Sequence, residues 1–276
     1  MTGNNAANNE TVPWTYLLAV ILAELLTAIG YGSIGLILYY ILLIVIFIQA
    51  MRICMIVDDE DIQQTVDASP AGRNVLKVRY RLNLALMLFF LIRVVGLPLF
   101  LADLSISYLL LLAGVLLFTA AFFIIRSAGY RAQDIYLTFS SPILYFLTLQ
   151  LIIGVSGIPL GLIEKKLLPV TTALFPPQVQ YGEAVFILFC FSGFLEELIF
   201  RGVLLRAAGD YMGVIGGSLY VSCLFAALQI SQLLFLGVIY AFLVSLFFCW
   251  IVRRTGSIWG VTIAHGLMNM LLYLPS

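Results

Sequence analysis

The sequence predicts an all-α fold, a polytopic transmembrane bundle of about eight to nine spanning helices. Three observations carry that expectation. Of 276 residues, 63% are hydrophobic and only 10% charged, against about 25% charged in soluble domains. Apolar windows of the ~20 residues needed to cross ~30 Å of hydrocarbon recur along the chain. The polar stretches between them hold nearly all the charge. The lipid bilayer is therefore the main solvent of this chain. With 14 basic and 14 acidic residues the net charge is zero, so nothing points to nucleic acid as a partner.

Residues 1–13 precede the first window and read as a retained, disordered tail. Up to Thr11 they are rich in Asn and contain no Lys or Arg, so the basic start of a signal peptide is missing. The windows are then 14–30, 34–57, 82–102, 105–125, 142–163, 182–206, 211–230, 232–252 and 257–274. Tyr31, Gly32 and Ser33 mark a tight turn between the first two. The stretch 58–81 is polar, acidic at its start and basic at its end, and reads as a solvated loop. Arg93 to Pro98 reads as an interruption of the third window, with Glu24 and Asp103 as potential partners for Arg93. The stretch 164–181 contains Pro169, Pro176 and Pro177 and cannot be one regular helix. Ser231 marks the turn between windows seven and eight. Gly213, Gly216, Gly217 and Gly237 read as close-packing positions between helices. The chain divides into the tail, N-terminal helices over 14–163 with no assigned role, and a core over 182–274 that carries the chemistry.

Basic residues separate by side. Placing the N-terminus in the cytoplasm puts Arg52, Arg73, Lys77, Arg79, Arg81, Arg126, Arg131, Arg206, Arg253 and Arg254 on one face and only Lys165 and Lys166 on the other. The positive-inside rule favours that orientation, and the plasma membrane is the expected site. Cys54, Cys190, Cys223 and Cys249 all lie in apolar segments without metal-ligand spacing. A single histidine, His265, excludes a zinc site built from two or three histidines. No cofactor or metal is expected.

Against this background Glu196, Glu197 and Arg201 stand out, because they lie inside an oily window. An ionisable residue at the bilayer centre costs from about 3 to more than ~10 kcal/mol, so such residues mark function by default. Glu197 and Arg201 are at i, i+4 and can pair on one helical face. Glu196 then points about 100° away, free to face a cavity as a general base. His265 and Asn269 are also at i, i+4. At 1.5 Å per residue, Glu196 lies roughly 20 Å from the turn at Gly209, Gln229 roughly 27 Å from Tyr211, and His265 and Asn269 roughly 15 to 21 Å from Thr255. Those three turns share one membrane face, so the polar groups can meet at one depth. The plain alternatives are a structural ion pair for the first group and interhelical hydrogen bonds for His265, Asn269 and Gln229.

The blocks Glu-Glu-x-x-x-Arg at 196–201, Phe-x-x-x-Gln at 225–229 and His-x-x-x-Asn at 265–269 resemble the CPBP family, the CAAX prenyl endopeptidases and bacteriocin-processing proteins. Phe200 to Leu205 and Arg254 to Trp259 also look like that family. The resemblance covers about the last hundred residues, 182–274. It implies a glutamate-type intramembrane endopeptidase acting on a peptide or membrane-protein substrate. Glu196 would activate water, Glu197 and Arg201 would support it, and His265 and Asn269 would stabilise an oxyanion. In the family the second block ends in a histidine that works with the glutamate on the water, and here that position is Gln229. A histidine relays protons near neutral pH, whereas a glutamine amide only holds a hydrogen bond. Three outcomes follow: a slow enzyme, one that uses Glu196 alone, or a silent relative acting as scaffold or subunit in a complex with other membrane proteins.

Overall fold

The computed structural model describes residues 4–58, 70–99, 106–167, 181–232 and 234–273. All regular structure among them is helical, and the molecule is an all-α membrane bundle. Among the described residues, four helical stretches are long and apolar enough to cross a membrane: Gly32–Ile56, Leu109–Ser127, Ile143–Leu167 and Phe235–Thr255. The described parts of the remaining expected windows are helical without meeting that measure, and one of them is the shorter apolar helix Pro13–Ala28.

Helix α1 spans Asn4–Ala28 and α2 spans Gly32–Asp58. The stretch 4–13, expected as a disordered tail, is helical. A helix nucleated by its apolar part propagates outward at little cost per residue. The turn into α2 is made by Gly30, at φ 94, one position before the expected triplet. The N–H of Tyr31 bonds the carbonyl of Leu26 at 2.8 Å and that of Gly30 the carbonyl of Thr27 at 3.2 Å, a left-handed helix end that glycine adopts without strain.

Helix α3 covers Pro70–Leu99. It absorbs most of the basic half of the expected loop and passes through Arg93 to Leu99 without a break. Pro70 opens it, where a missing N–H costs nothing. The acidic half of that loop beyond Asp58, and Asp103, lie outside the described residues. Helix α4 is Ile106–Ser127. A loop with one 3-10 turn, Ala132–Ile135, leads to α5 (Ile143–Val155) and α6 (Gly157–Leu167). Pro159 cannot donate to Val155, which explains the joint between them.

The motif segment starts with α7 (Tyr181–Ile187), widens into a π-helical stretch at Leu188–Phe194, passes through the short α8 (Leu195–Glu197), widens again at Leu198–Leu204 and continues as α9 (Leu205–Ala227). The hairpin turn expected near Gly209 is at Gly213, φ 79 and ψ 173, a conformation open only to glycine. Gly217 is a close-packing position, since a Cβ there would sit 2.6 Å from the backbone nitrogen of Gly209. A 3-10 turn at Ile230–Gln232 precedes α10 (Phe235–Thr255), and Gly256 at φ 69 turns the chain into α11 (Trp259–Tyr273).

Helix α11 is central. It packs on the first π-helical stretch on one side and on α5 and α6 on the other. The buried N–H of Gly260, in its first turn, donates to Gln150 Oε1 of α5 at 2.6 Å, which satisfies a donor that hydrocarbon would leave orphaned. One buried apolar cluster runs from Tyr16 through Phe89, Phe200 and Phe248 to Met268. The N-terminal helices and the motif segment therefore share a core. Outside it, α2 and α5 present Ile37, Ile41, Ile44, Leu144, Leu151 and Ile152 outward, as expected where lipid is the solvent.

Glu24, in α1, is 1% exposed. Arg93 binds it through two contacts of 2.7 and 2.9 Å, and Tyr39 donates to it at 2.6 Å. Arg93 also donates to the carbonyl of Leu228. This cluster ties α1, α2 and α3 to the turn that carries Gln229.

Candidate active site

Glu197 is the hub of the polar centre. Its side chain and that of Arg201 are both 0% exposed, with Arg201 Nη1 donating to Glu197 Oε1 at 2.9 Å. His265 Nδ1 lies 2.7 Å from the same oxygen. An ionised carboxylate only accepts, so Nδ1 carries the proton and donates it. The Oε2 atom of Glu197 has no protein partner, and neither do Nε and Nη2 of Arg201. The guanidinium is instead boxed by aromatic rings. Its Cζ stands 4.6 Å from the centroid of Phe225, 5.4 Å from Phe248 and 5.8 Å from Phe200, where ring faces attract a cation. Burying both charges is costly unless they pair well, and the short Glu197 contacts supply that pairing.

Glu196, the neighbouring residue, differs in environment. Its side chain is 35% exposed. Its Oε1 accepts from Ser192 Oγ at 3.1 Å. Ser192 in turn accepts from Asn269 Nδ2 at 2.7 Å. Glu196 Oε2 lies 3.9 Å from His265 Nε2, beyond a direct hydrogen bond and with room for a small reactant near both. Phe225 meets the His265 ring edge-on at a centroid distance of 6.1 Å, and Phe248 tilts against it at 6.4 Å.

Local sequence makes this convergence possible. A Cβ on Gly193 would meet Gly266 Cα at 3.1 Å and Thr262 O at 3.2 Å. The absent side chain lets the first π-helical stretch lie against α11, so that Glu196, Glu197 and Ser192 reach His265 and Asn269. Trp259 stacks on Phe194 with centroids 5.5 Å apart and rings 2° from parallel, which fixes the same contact at the other end of the turn. π-helical turns concentrate at functional sites, and here two of them flank the glutamate pair.

Of the residues singled out from sequence, the structure brings Glu196, Glu197, Arg201, His265 and Asn269 together. Gln229 sits in the turn after α9, half-buried. Among the described residues no hydrogen bond joins its side chain to the other five. Phe225 of the same block does join them, through Arg201 and His265. Sequence reasoning missed Ser192, whose hydroxyl links Glu196 to Asn269. Its signal was present, since Ser192 stands at i−4 from Glu196 and therefore on the same face. It also missed Glu164, assigned to a loop but placed by the structure in α6, within electrostatic range of His265 and Glu196.

The fold and the polar centre together define an integral membrane protein whose buried core presents an accessible carboxylate beside a carboxylate-held imidazole. Residues 181–271 match the family described as Rce1-like, the type II CAAX prenyl endopeptidase Rce1-like family. This segment, about a third of the chain and the carrier of every motif block, is similar to that family, a branch of the CPBP proteins. Neither the curated proteins nor the solved structures gave a match.

Proposed function

We propose that the protein is an intramembrane endopeptidase that hydrolyses a peptide bond with water activated by Glu196. The observation that supports this best is the division of labour between adjacent glutamates. Glu197 is fully enclosed and held by Arg201 and His265, while Glu196 is open to a reactant. A carboxylate that must take a proton from water needs access, and one that orients an imidazole needs enclosure. The Ser192 hydroxyl holds Glu196 Oε1, which directs Oε2 toward the space in front of His265 Nε2. With Nδ1–H fixed on Glu197, a proton on Nε2 points into the same space. That donor and the second N–H of Asn269 stabilise the oxyanion formed when hydroxide adds to the carbonyl.

The family points to lipidated C-terminal peptides as the substrate class. The test is cleavage of a farnesylated CAAX peptide by the purified full-length chain in detergent. Glu196→Ala is expected to lower kcat by at least about 100-fold. Equal cleavage by Glu196→Ala and the parent chain would end this reading.

Gln229 favours a second reading, in which the chain is a silent relative serving as a subunit of a membrane complex. Stable co-purification with other membrane proteins, with no Glu196-dependent turnover, would select it. We also infer that the basic end, carrying Arg81, Arg206 and Arg253, faces the cytoplasm of a cell whose plasma membrane holds the protein, as the positive-inside rule directs.

A further inference from the structure

Glu164 sits in the last turn of α6. Gly157, Gly161 and Glu164 are at i, i+4 and i+7 and share one face of that helix. The two glycines press on α11. A Cβ on Gly157 would lie 2.1 Å from the carbonyl oxygen of Ala264, and one on Gly161 would lie 2.9 Å from the Cα of Met268. The two helices therefore run parallel, in step. The third position of the stripe comes level with the turn beyond Met268, and helical side chains lean back toward their own N-terminus. That lean carries the Glu164 carboxyl toward the level of Asn269 and His265.

The groups that face Glu164 come from three elements. His265 on α11 and Glu196 on α8 both act on it electrostatically. Tyr240 on α10 does so as well, its hydroxyl donating at 2.6 Å to the carbonyl of Leu160 in the turn beneath Glu164. The Oε2 atom of Glu164 is buried and has no hydrogen-bond partner.

Charge counting then constrains the site. Glu164, Glu196 and Glu197 are three acids. Even with both ring nitrogens of His265 protonated, that imidazolium and Arg201 are the cations facing them among the described residues. Three carboxylates against two cations leave one negative charge without a partner. Glu196 is part-exposed and can meet water, so the cost falls on a carboxyl with a buried oxygen, which is expensive to ionise unpaired. One acid therefore keeps its proton. Glu197 already receives two charged donors, and Glu196 receives the Ser192 hydroxyl. Glu197 also keeps one buried oxygen unmatched, but among the described residues Glu164 is the one of the three whose carboxyl receives no donor at all.

Resting on the endopeptidase reading, we propose that Glu164 is the acid of the reaction and gives its proton to the leaving amine. Glu196 takes one proton from water, and the hydroxide oxygen bonds to the peptide carbonyl carbon. When the tetrahedral species collapses, the C–N bond breaks and the nitrogen takes the Glu164 proton with the electron pair of that bond. The products are a carboxylic acid and an amine. Glu196 is left protonated and Glu164 ionised, and transfer of one proton between them through water restores the start. In a chain whose position 229 is a glutamine without proton chemistry, a carboxyl on α6 supplies the proton for the leaving amine.

The experiment uses the full-length protein, the farnesylated CAAX peptide as probe, and the variants Glu164→Gln, Glu164→Asp and Glu196→Ala, with kcat followed against pH. Glu164→Gln is expected to lower kcat by about 100-fold or more and to abolish the alkaline descending limb of the profile, with Glu164→Asp recovering part of both. A Glu164→Gln enzyme with the parent kcat and pH profile, while Glu196→Ala is inactive, overturns the role of Glu164 and leaves the endopeptidase reading in place. Glu196→Ala cleaving like the parent overturns both. Infrared spectroscopy gives a readout independent of turnover. A protonated-carboxyl C=O band is expected in the parent at neutral pH, lost in Glu164→Gln and shifted in Glu164→Asp. Its absence from the parent overturns the proposal even if the Gln variant does not fold.

Discussion

Arg201 has no access to solvent, makes one hydrogen-bonded ion pair and is otherwise surrounded by phenylalanine rings. Removing it leaves Glu197 as a buried carboxylate facing His265 alone. Arg201→Met is expected to destabilise the protein by about 3–5 kcal/mol. Adding Glu197→Gln removes the stranded charge and is expected to restore much of that loss. Denaturant unfolding in detergent, run on both variants, checks this. A single variant as stable as the parent would mean that Arg201 does not hold Glu197. At this scale the sequence was informative about charge in oil and about i, i+4 pairing, because both follow from position alone. Ser192 was less visible, since a serine in a membrane helix ordinarily satisfies itself on its own backbone. Glu164 was hidden by its neighbours. Lys165, Lys166 and the prolines that follow look like a loop, and only the glycine stripe before it shows that the helix continues.

Helix α6 is positioned by contacts that admit no side chain. Gly157→Ala would drive a methyl group into the backbone of α11, 2.1 Å from Ala264 O. Backbone cannot yield as a flexible side chain does, so a cost of about 1–3 kcal/mol is expected. The displacement would also carry Glu164 away from the site, so kcat should fall as expected for Glu164→Gln. Gly182→Ala is the control, with nothing within 4 Å of the added carbon. Thermal melting and peptide cleavage of the two variants test this, and a Gly157→Ala protein matching the control in both would show that α6 has slack. Element existence was legible from the apolar windows, and element winding was not. The residues from Leu198 to Leu205 are buried all round. A helix without an exposed face has no polar stripe to reveal whether its turns close at i+4 or i+5. The choice of Gly213 over Gly209 as the turn was equally invisible, because Gly209 is spent on making room for Arg253, whose Nη2 a Cβ there would approach to 2.7 Å.

At the scale of the whole molecule, charge sorts by end. Arg81 donates to the carbonyl of Ala128 at 2.9 Å and lies over Tyr130, Arg206 pairs with Asp210 at 3.1 Å, and Arg253 donates to Ser218 at 2.9 Å. Lys165 and Lys166 lie at the end of α6, far along the chain's path from these. Reporter fusions at the two termini test the orientation. The N-terminal fusion is expected to be active as a cytoplasmic reporter and the C-terminal one as an exported reporter. The reverse pattern would invert the proposed topology. The role of the first five windows was readable only in part. Glu24, 69 positions from Arg93, was named from sequence as a potential partner and does pair with it, but the contact of Arg93 with Leu228, 135 positions away, left no local signal.

The donor at the start of α11 is satisfied by Gln150, a side chain that lies outside the family-matched segment. In hydrocarbon no water stands ready to replace it. The angle at which His265 enters the site is therefore set by a residue that a search for the motif never sees. Chimeras that graft 181–271 onto another set of helices would inherit the reacting groups without their alignment. The portable unit of this chemistry is larger than its signature.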